Sequence, residues 1–315
     1  MKRFFIYFLF LFIPFQAAAS ETVHVAYNID DKYVIYTLLS INSILKNNKS
    51  NSDYTFWILE NGISEKNKKM MIKYIEKRHQ KIQFLSLRED TLYQSVFPLI
   101  KNVFNYTDFA HVSYVSFMRL FIPSLLPDDV HKVVYIDGDT LANQDVSKLF
   151  QTDLGEFPIG MVKDISQDLK AICNTNAYYN AGVVLINVDK WKKDDTLGTI
   201  LSIFKENPSK YQRYAEQDLL NCVFDGKIKT LDAKWNNQVF RYLFTANYDD
   251  TGIFHYLSGE KPWKVFGAGA LYRPYRIYYG YWNHSGLRRY KYKAIFDEIK
   301  NMFTREKKMI LKSNV

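Results

Sequence analysis

The stretch "HKVVYIDGDTLANQDVSKLF" (His131–Phe150) decides how this 315-residue chain is read. Lys132 to Ile136 strings β-branched and aromatic residues together without polar alternation, the pattern of a strand buried on both faces. It runs straight into Asp137-Gly138-Asp139. Asp-Gly between apolar runs is a hairpin signal, but "TLANQDV" beyond it makes a poor partner strand. Two carboxylates at i and i+2 at a strand end also suit one hard divalent ion. The tripeptide alone leaves both readings open.

Outward from it, strands and helices alternate. "TVHVAYN", "DYTFWILE" and "KIQFLSL" read as strands before "KVVYI". Between them lie a helix over "KYVIYTLLSINSILKNN", with Val34, Leu38, Ile41 and Leu45 on one stripe, and a helix from Glu65 to His79 capped by Ser64. "SYVSFMRLFIPSLL" reads as one helix ending near Pro123. Beyond Phe150 come strands "FPIGMVKD" and "AGVVLINV", helices from Leu197 to Glu206 and over "AEQDLLNCVF", and short strands "KIKTLD" and "GIFHYL". Such alternation predicts an α/β fold, a mostly parallel sheet with helices on both faces. Ligands then gather beyond the carboxyl ends of strands, where "NIDD" (Asn28–Asp31) and the Asp137–Asp139 pair both fall.

The chain is 47% hydrophobic and 17% aromatic, which fits a large core and argues against disorder. Its net charge of +9 is unevenly placed: residues 273–315 hold eleven cations against three carboxylates, a net of +8. Lys2 and Arg3 contribute two more, leaving residues 4–272 at −1. A neutral body argues against nucleic acid as a partner. The opening "MKRFFIYFLFLFIPFQAAAS" has the basic start, short apolar run and Ala17-Ala18-Ala19 ending of a secretory signal, with an uncleaved anchor as the alternative. The expected organisation is a signal-like segment over 1–20, a catalytic domain over 21–265 and a basic, aromatic segment over 266–315. The expected location is exported or membrane-associated, or else the cytoplasmic membrane face. Cys173 and Cys222 are no disulfide framework; they could pair if the protein is exported, but two buried free thiols are the simpler expectation.

Gly267-Ala268-Gly269 neither follows a strand nor opens a helix, so it is no dinucleotide fingerprint, and no phosphate-loop or zinc pattern occurs. A strand ending in D-x-D is also the nucleophile motif of haloacid dehalogenase-type phosphatases, with Asp164 and Asp168 as a second acidic pair. That motif wants Thr or Val where Leu141 stands and opens its domain, whereas this strand comes fourth.

Read in order, "HVAYNIDDKY…SINSIL", "VVYIDGDTL", "YYNAGVVLINVDKW", "EQDLLN" and "HYLSGEKPW" resemble the retaining glycosyltransferases of family 8, nearest their bacterial lipopolysaccharide galactosyl- and glucosyltransferase branch. The resemblance implies a GT-A fold, a Rossmann-like mixed sheet that binds a nucleotide-sugar. It implies a UDP-hexose donor, a glycan, lipid-linked or protein acceptor, and Mn²⁺, with Mg²⁺ as the alternative, held by Asp137, Asp139 and His255. Tyr27, Asn28, Asp30 and Tyr33 match the base- and ribose-binding segment, Arg119 and Gly138 match nucleotide-sugar contacts, and Asn180 and Ala181 match sugar contacts. Lys261 matches the lysine that holds the diphosphate. Ser258 stands where the family usually has glycine and Gly259 follows, so the resemblance points to the Gly259 amide as the one approaching phosphate and leaves the Ser258 match weaker.

The resemblance also places Gln217 where a double displacement would need a carboxylate, and an amide is a poor nucleophile. Front-face internal return is therefore the expected route, with Glu216 and Asp218 in positioning or back-up roles. A non-catalytic sugar-nucleotide- or glycan-binding protein on the same fold is the rival reading, and the intact Asp137, Asp139, His255, Gln217 and Lys261 favour the enzyme. The basic-aromatic segment after residue 265 suits an anionic membrane surface, against the plainer reading of a solvated helix.

Overall fold

The computed structural model describes residues 21–105, 114–165, 173, 175, 177–239, 248–257, 261–263, 273–288 and 290. The leader-like segment, Asp168, Ser258 and Gly259 lie outside the described residues. Among the described residues ten strands form two sheets: β1 (Val23–Asp30), β2 (Tyr54–Asn61), β3 (Lys81–Leu85), β4 (Lys132–Ile136), β5 (Thr140–Ala142), β6 (Ile159–Lys163), β7 (Tyr179–Asn187), β8 (Ile228–Thr230), β9 (Asn237–Gln238) and β10 (Ile253–His255). The main sheet runs β3-β2-β1-β4-β7-β6-β8, and β5-β10-β9 form a second, small one. In the main sheet pairing is parallel from β3 through β4 and between β6 and β8, and β7 runs antiparallel to both β4 and β6; in the small sheet β10 is antiparallel to β5.

This topology gathers several chain segments at one edge. Parallel β1 and β4 end there; β7, running the other way, begins there; β6 ends beside the start of β7, with Lys163 opposite Tyr179. Asp137 is therefore not a hairpin residue. β4 pairs with β1 and β7, and the chain leaves the main sheet through Asp137–Asp139 to enter the small sheet as β5, opposite β10.

The main sheet is apolar on both sides, as the unalternated strands require. One face packs Val25, Tyr27 and Val134 against α1 (Val34–Lys46) and α2 (Glu65–Glu76), the latter capped by the Ser64 hydroxyl accepting from Asn67 N–H. The other face packs Ala26, Tyr135 and Val184 against α3 (Thr91–Asn105), α4 (Thr196–Glu206) and α5 (Glu216–Val223). Helix α3 is not announced by the sequence pattern because Pro98 sits inside it, where proline normally breaks a helix. It forms anyway, burying Val96, Ile100, Val103 and Phe104. Conversely, the single helix expected around Arg119 is three pieces, Tyr114–Phe117, a 3₁₀ turn Met118–Phe121, and Ile122–Leu125 with Pro123 in its first turn.

Two further findings bear on the sequence expectations. Cys173 and Cys222 are paired as a disulfide, Cα atoms 5.5 Å apart, and each is only half-buried, so the buried free thiols are corrected. The alternative, that the two would pair, is the one the structure shows; the partners meet through the fold, 49 residues apart. Helix α6 (Arg273–His284) packs on α1, burying Tyr275, Tyr278 and Trp282 with Leu39, Leu141, Phe254 and Tyr256. Among the described residues no helix is long and apolar enough to cross a membrane.

Trp282 is 2% exposed and packs α6 against Tyr36 of α1, beside Tyr278 of its own helix. Trp282→Ala should destabilise the fold by about 3–5 kcal/mol. Urea unfolding followed by tyrosine and tryptophan fluorescence checks this, and an unchanged midpoint would contradict the packing role of α6.

Candidate active site

At the seam between the two sheets, one ligand atom each from Asp137, Asp139 and His255 lie within 4.8 Å of one another. The carboxylates come from the β4–β5 link and the imidazole from β10, which the β5–β10 pairing sets opposite Thr140. His255 Nε2 stands 3.6 Å from Asp137 and 3.4 Å from Asp139. Its Nδ1 lies 2.9 Å from the buried Asn236 Oδ1, an acceptor for Nδ1–H, which turns the Nε2 lone pair toward the carboxylates. Behind the ring lies Gly182: a Cβ there would sit 1.9 Å from His255 Cε1, so only glycine fits. Two carboxylates and a correctly turned imidazole form a donor set for a divalent ion.

Two cations flank this group. Lys261 donates to Asp139 at 2.5 Å and to Tyr256 carbonyl. Burial raises the Asp139 carboxyl's pKa, but the Lys261 ammonium and His255 outweigh it and hold the group well below the usual range. Arg119 contacts Asp137 at 3.1 Å and Glu216 at 3.2 Å, and donates to the Ala181 and Ser116 carbonyls. It is thus neither on a helix surface nor loosely placed. Burial pushes Glu216 upward, and Arg119 offsets this in part. Tyr135 Oη completes the frame, donating to Asp137 at 2.6 Å.

Beside the cations, Gln217 opens α5 half-buried. Its Oε1 accepts from Ala181 N–H at 2.9 Å, and its Nε2 lies 3.4 Å from Asp164. Asn180, 4% exposed, accepts from Gly182 N–H and Asn236 and donates to Asp164 at 3.0 Å. An unbroken chain of polar contacts therefore joins His255 to Gln217 through Asn236, Asn180 and Asp164. Asp218 faces elsewhere, accepting from Tyr178 Oη and Tyr214 N–H. Burial raises its pKa to about 6.

At the end of β1, Asp30 accepts from the Lys32 and Tyr33 N–H groups, and Tyr33 packs edge-on against Trp263. Asn28 donates to Val115 carbonyl, and its Oδ1 is buried without a partner among the described residues. A Cβ on Gly138 would meet Thr37 Oγ1 at 2.6 Å and Tyr33 at 3.3 Å, so glycine lets this loop lie close to α1. Tyr27 corrects the sequence reading. Its side chain is fully buried and its hydroxyl hydrogen-bonds Ser40, so it serves the core and only its backbone faces the strand end. Asn236, Gly182 and Tyr135 were not foreseen, and Asp164 was noted only as half of an acidic pair. The one signal available was Gly182, an isolated glycine inside a strand.

Comparison with known proteins agrees with this geometry. Residues 24–266 match the sequence profile of glycosyl transferase family 8. Glycosyltransferase GlyA of Streptococcus pneumoniae serotype 4 is 32% identical over 54% of this chain, which spans 24% of that longer protein. The lipopolysaccharide 1,2-glucosyltransferase of Escherichia coli K12 is 25% identical over 82% of this chain and 78% of its own. Among solved structures, the galactosyltransferase LgtC in complex with donor and acceptor sugar analogues superposes with a TM-score of 0.66 at 21% identity, covering 84% of this chain and all of that one. The fold is that of the GT-A glycosyltransferases.

Two outcomes are expected. Gly182→Ala must displace His255, so Mn²⁺ titrated by calorimetry should bind at least roughly tenfold more weakly, as for lost support of a metal ligand; unchanged affinity would refute the packing argument. Asp218 has a folded pKa of about 6 against an ordinary 3.8, so the folded state binds the extra proton. Its contribution to stability therefore falls as pH rises from about 4 to 6. Unfolding curves of wild type and Asp218→Asn should show this decline in the wild type and its loss in the variant; parallel pH profiles would contradict it.

Proposed function

Because the chain belongs to glycosyl transferase family 8, we propose that it is a metal-dependent retaining hexosyltransferase, moving galactose or glucose from a UDP-sugar to a glycan, lipid-linked or protein acceptor. The observation that carries this reading is the Asp137–Asp139–His255 group, its ligand atoms within 4.8 Å of one another beside the Lys261 ammonium. Its donors suit Mn²⁺, with Mg²⁺ as the alternative; when bound, such an ion supplies charge neutralisation at a departing diphosphate. Lys261 brings the chain's own positive charge to the same place and holds phosphate oxygens there. Asn28, Asp30 and Tyr33 line the strand end that takes base and ribose, the unpartnered Asn28 Oδ1 offering an acceptor to a base N–H.

Support for retention comes from the carboxamide of Gln217. Ala181 N–H pins it, and Asp164 faces its other end. An amide steadies a transient positive charge on the sugar without bonding to it. Glu216 is held by Arg119, and Asp218 by Tyr178, so neither is aimed as a nucleophile. Front-face return, with the departing phosphate taking the acceptor's proton, fits this arrangement. The basic segment over 266–315 is proposed to rest on an anionic membrane surface, which suits a lipid-linked acceptor.

Screening UDP-hexoses for Mn²⁺-stimulated hydrolysis, with mass spectrometry of transfer products, tests the assignment. Asp139→Asn should remain folded and lose that activity; retained metal stimulation would remove the basis of the proposal. Gln217→Ala should slow turnover by roughly 10²–10³ while the product stays α-linked. A β-linked product by NMR, or a glycosyl adduct trapped on Asp164, Glu216 or Asp218, would replace internal return with another mechanism.

A further inference from the structure

We infer that a cationic cleft between α2 and the chain segment Ser285–Tyr290 is a seat for the phosphate headgroup of an anionic phospholipid, built into the folded body and distinct from the transfer site. The cleft encloses about 680 Å³ and is walled by Lys66, Lys69, Lys73, Lys77 and Arg78. Among the described residues no carboxylate lines it. Its floor is apolar and aromatic, from Met70, Tyr74, Leu287 and Tyr290.

Helical spacing explains the concentration of charge. Positions 66, 69, 73 and 77 recur at intervals of three and four, so their side chains share one face of α2. All four are exposed. The acidic residues near the start of the helix are already taken, because Lys68 pairs with Glu60 and Glu65. Among the described residues none of the four cleft lysines joins an ion pair. Residues 65–78 carry six cations against Glu65 and Glu76, a net of +4 within residues 4–272 whose total is −1, so the charge here is concentrated against an otherwise acidic body.

The cleft is also rigid. The Arg78 guanidinium lies 3.6 Å over the Tyr74 ring and donates to the Tyr74 and Ser285 carbonyls at 2.7 and 3.3 Å. Tyr74 Oη donates to the same Ser285 carbonyl at 2.7 Å. The two walls are thus tied together, and the lysines extend from a fixed frame. Cations around an apolar floor match an amphiphile, whose phosphate meets the ammonium groups while its glycerol end covers the rings. Beyond Tyr290 the sequence carries Lys291, Lys293 and Lys300, further cations close in sequence to this wall. The inference goes beyond the transfer reading, and it holds or fails separately from membrane binding by the segment itself.

The test uses the full chain and vesicles of phosphatidylcholine with or without phosphatidylglycerol. Wild type is expected to bind only the anionic vesicles, and less as salt rises. The fourfold variant Lys66→Ala, Lys69→Ala, Lys73→Ala, Lys77→Ala, with the basic segment intact, should bind roughly 10³-fold more weakly. The fourfold Lys→Arg variant should bind as wild type does, and UDP-sugar hydrolysis should be unchanged in both variants, which shows that they fold. Equal vesicle binding by the alanine variant would overturn the cleft and leave binding to the C-terminal segment. Saturable binding of inorganic pyrophosphate, lost in the alanine variant and without vesicle binding by wild type, would overturn the lipid assignment in favour of a soluble phosphate ligand.

Discussion

The site depends on one buried cation. Arg119, its side chain 12% exposed, stands between Asp137 and Glu216 and reaches the Ala181 carbonyl, so one guanidinium ties the end of β4 to the start of β7 and to α5. A charge so buried is costly unless it is paired and hydrogen-bonded on all sides, and the cost of losing either partner keeps the three segments together. Asp137 is thereby held as a charged ligand at a place where two more charged groups, Asp139 and Lys261, also converge. Alternating signs let these charges coexist at short range.

A second constraint is steric. His255 can approach the carboxylates only because Gly182 presents no side chain, and its orientation is set by Asn236 rather than by the group it would bind. Asn236 also bonds Asn180, which bonds Asp164, which faces Gln217. The imidazole and the carboxamide proposed to steady the sugar therefore share one polar framework. In a low-dielectric setting, such fully engaged networks hold their members in single orientations. That preorganisation is what electrostatic catalysis requires, since the groups need not reorient as charge develops.

Placing the site at the seam between two sheets also separates two tasks. The main sheet supplies a stiff edge where β1, β4, β6 and β7 deliver Asp30, Asp137, Asp164 and Asn180. The small sheet delivers His255, and the loop beyond it Lys261. Trp263 stacks on Tyr36 with ring centroids 4.0 Å apart, fixing that loop against α1. Helix α6 covers the same aromatic cluster, so residues 273–284, Arg273 and Arg276 among them, belong to the body.

Much of this was legible in local sequence. A short unalternated apolar run rich in β-branched and aromatic residues reads as a doubly covered strand, so β1, β2, β4 and β7, their alternation with helices, and the carboxylates at the β4 end follow from local pattern and composition. The family resemblance added His255, Gln217 and Lys261, which no spacing rule would single out. Tertiary structure decided the rest. Tyr27 went to the core because strand alternation turned its ring toward α1; Arg119 went inward because a 3₁₀ turn, not a continuous helix, carries it. Asn236, Asp164 and Gly182 became parts of the site only through the antiparallel course of β7 and the pairing of β5 with β10. Residues far apart in sequence meet by register between strands, and register is a property of the whole packed sheet, not of any stretch within it.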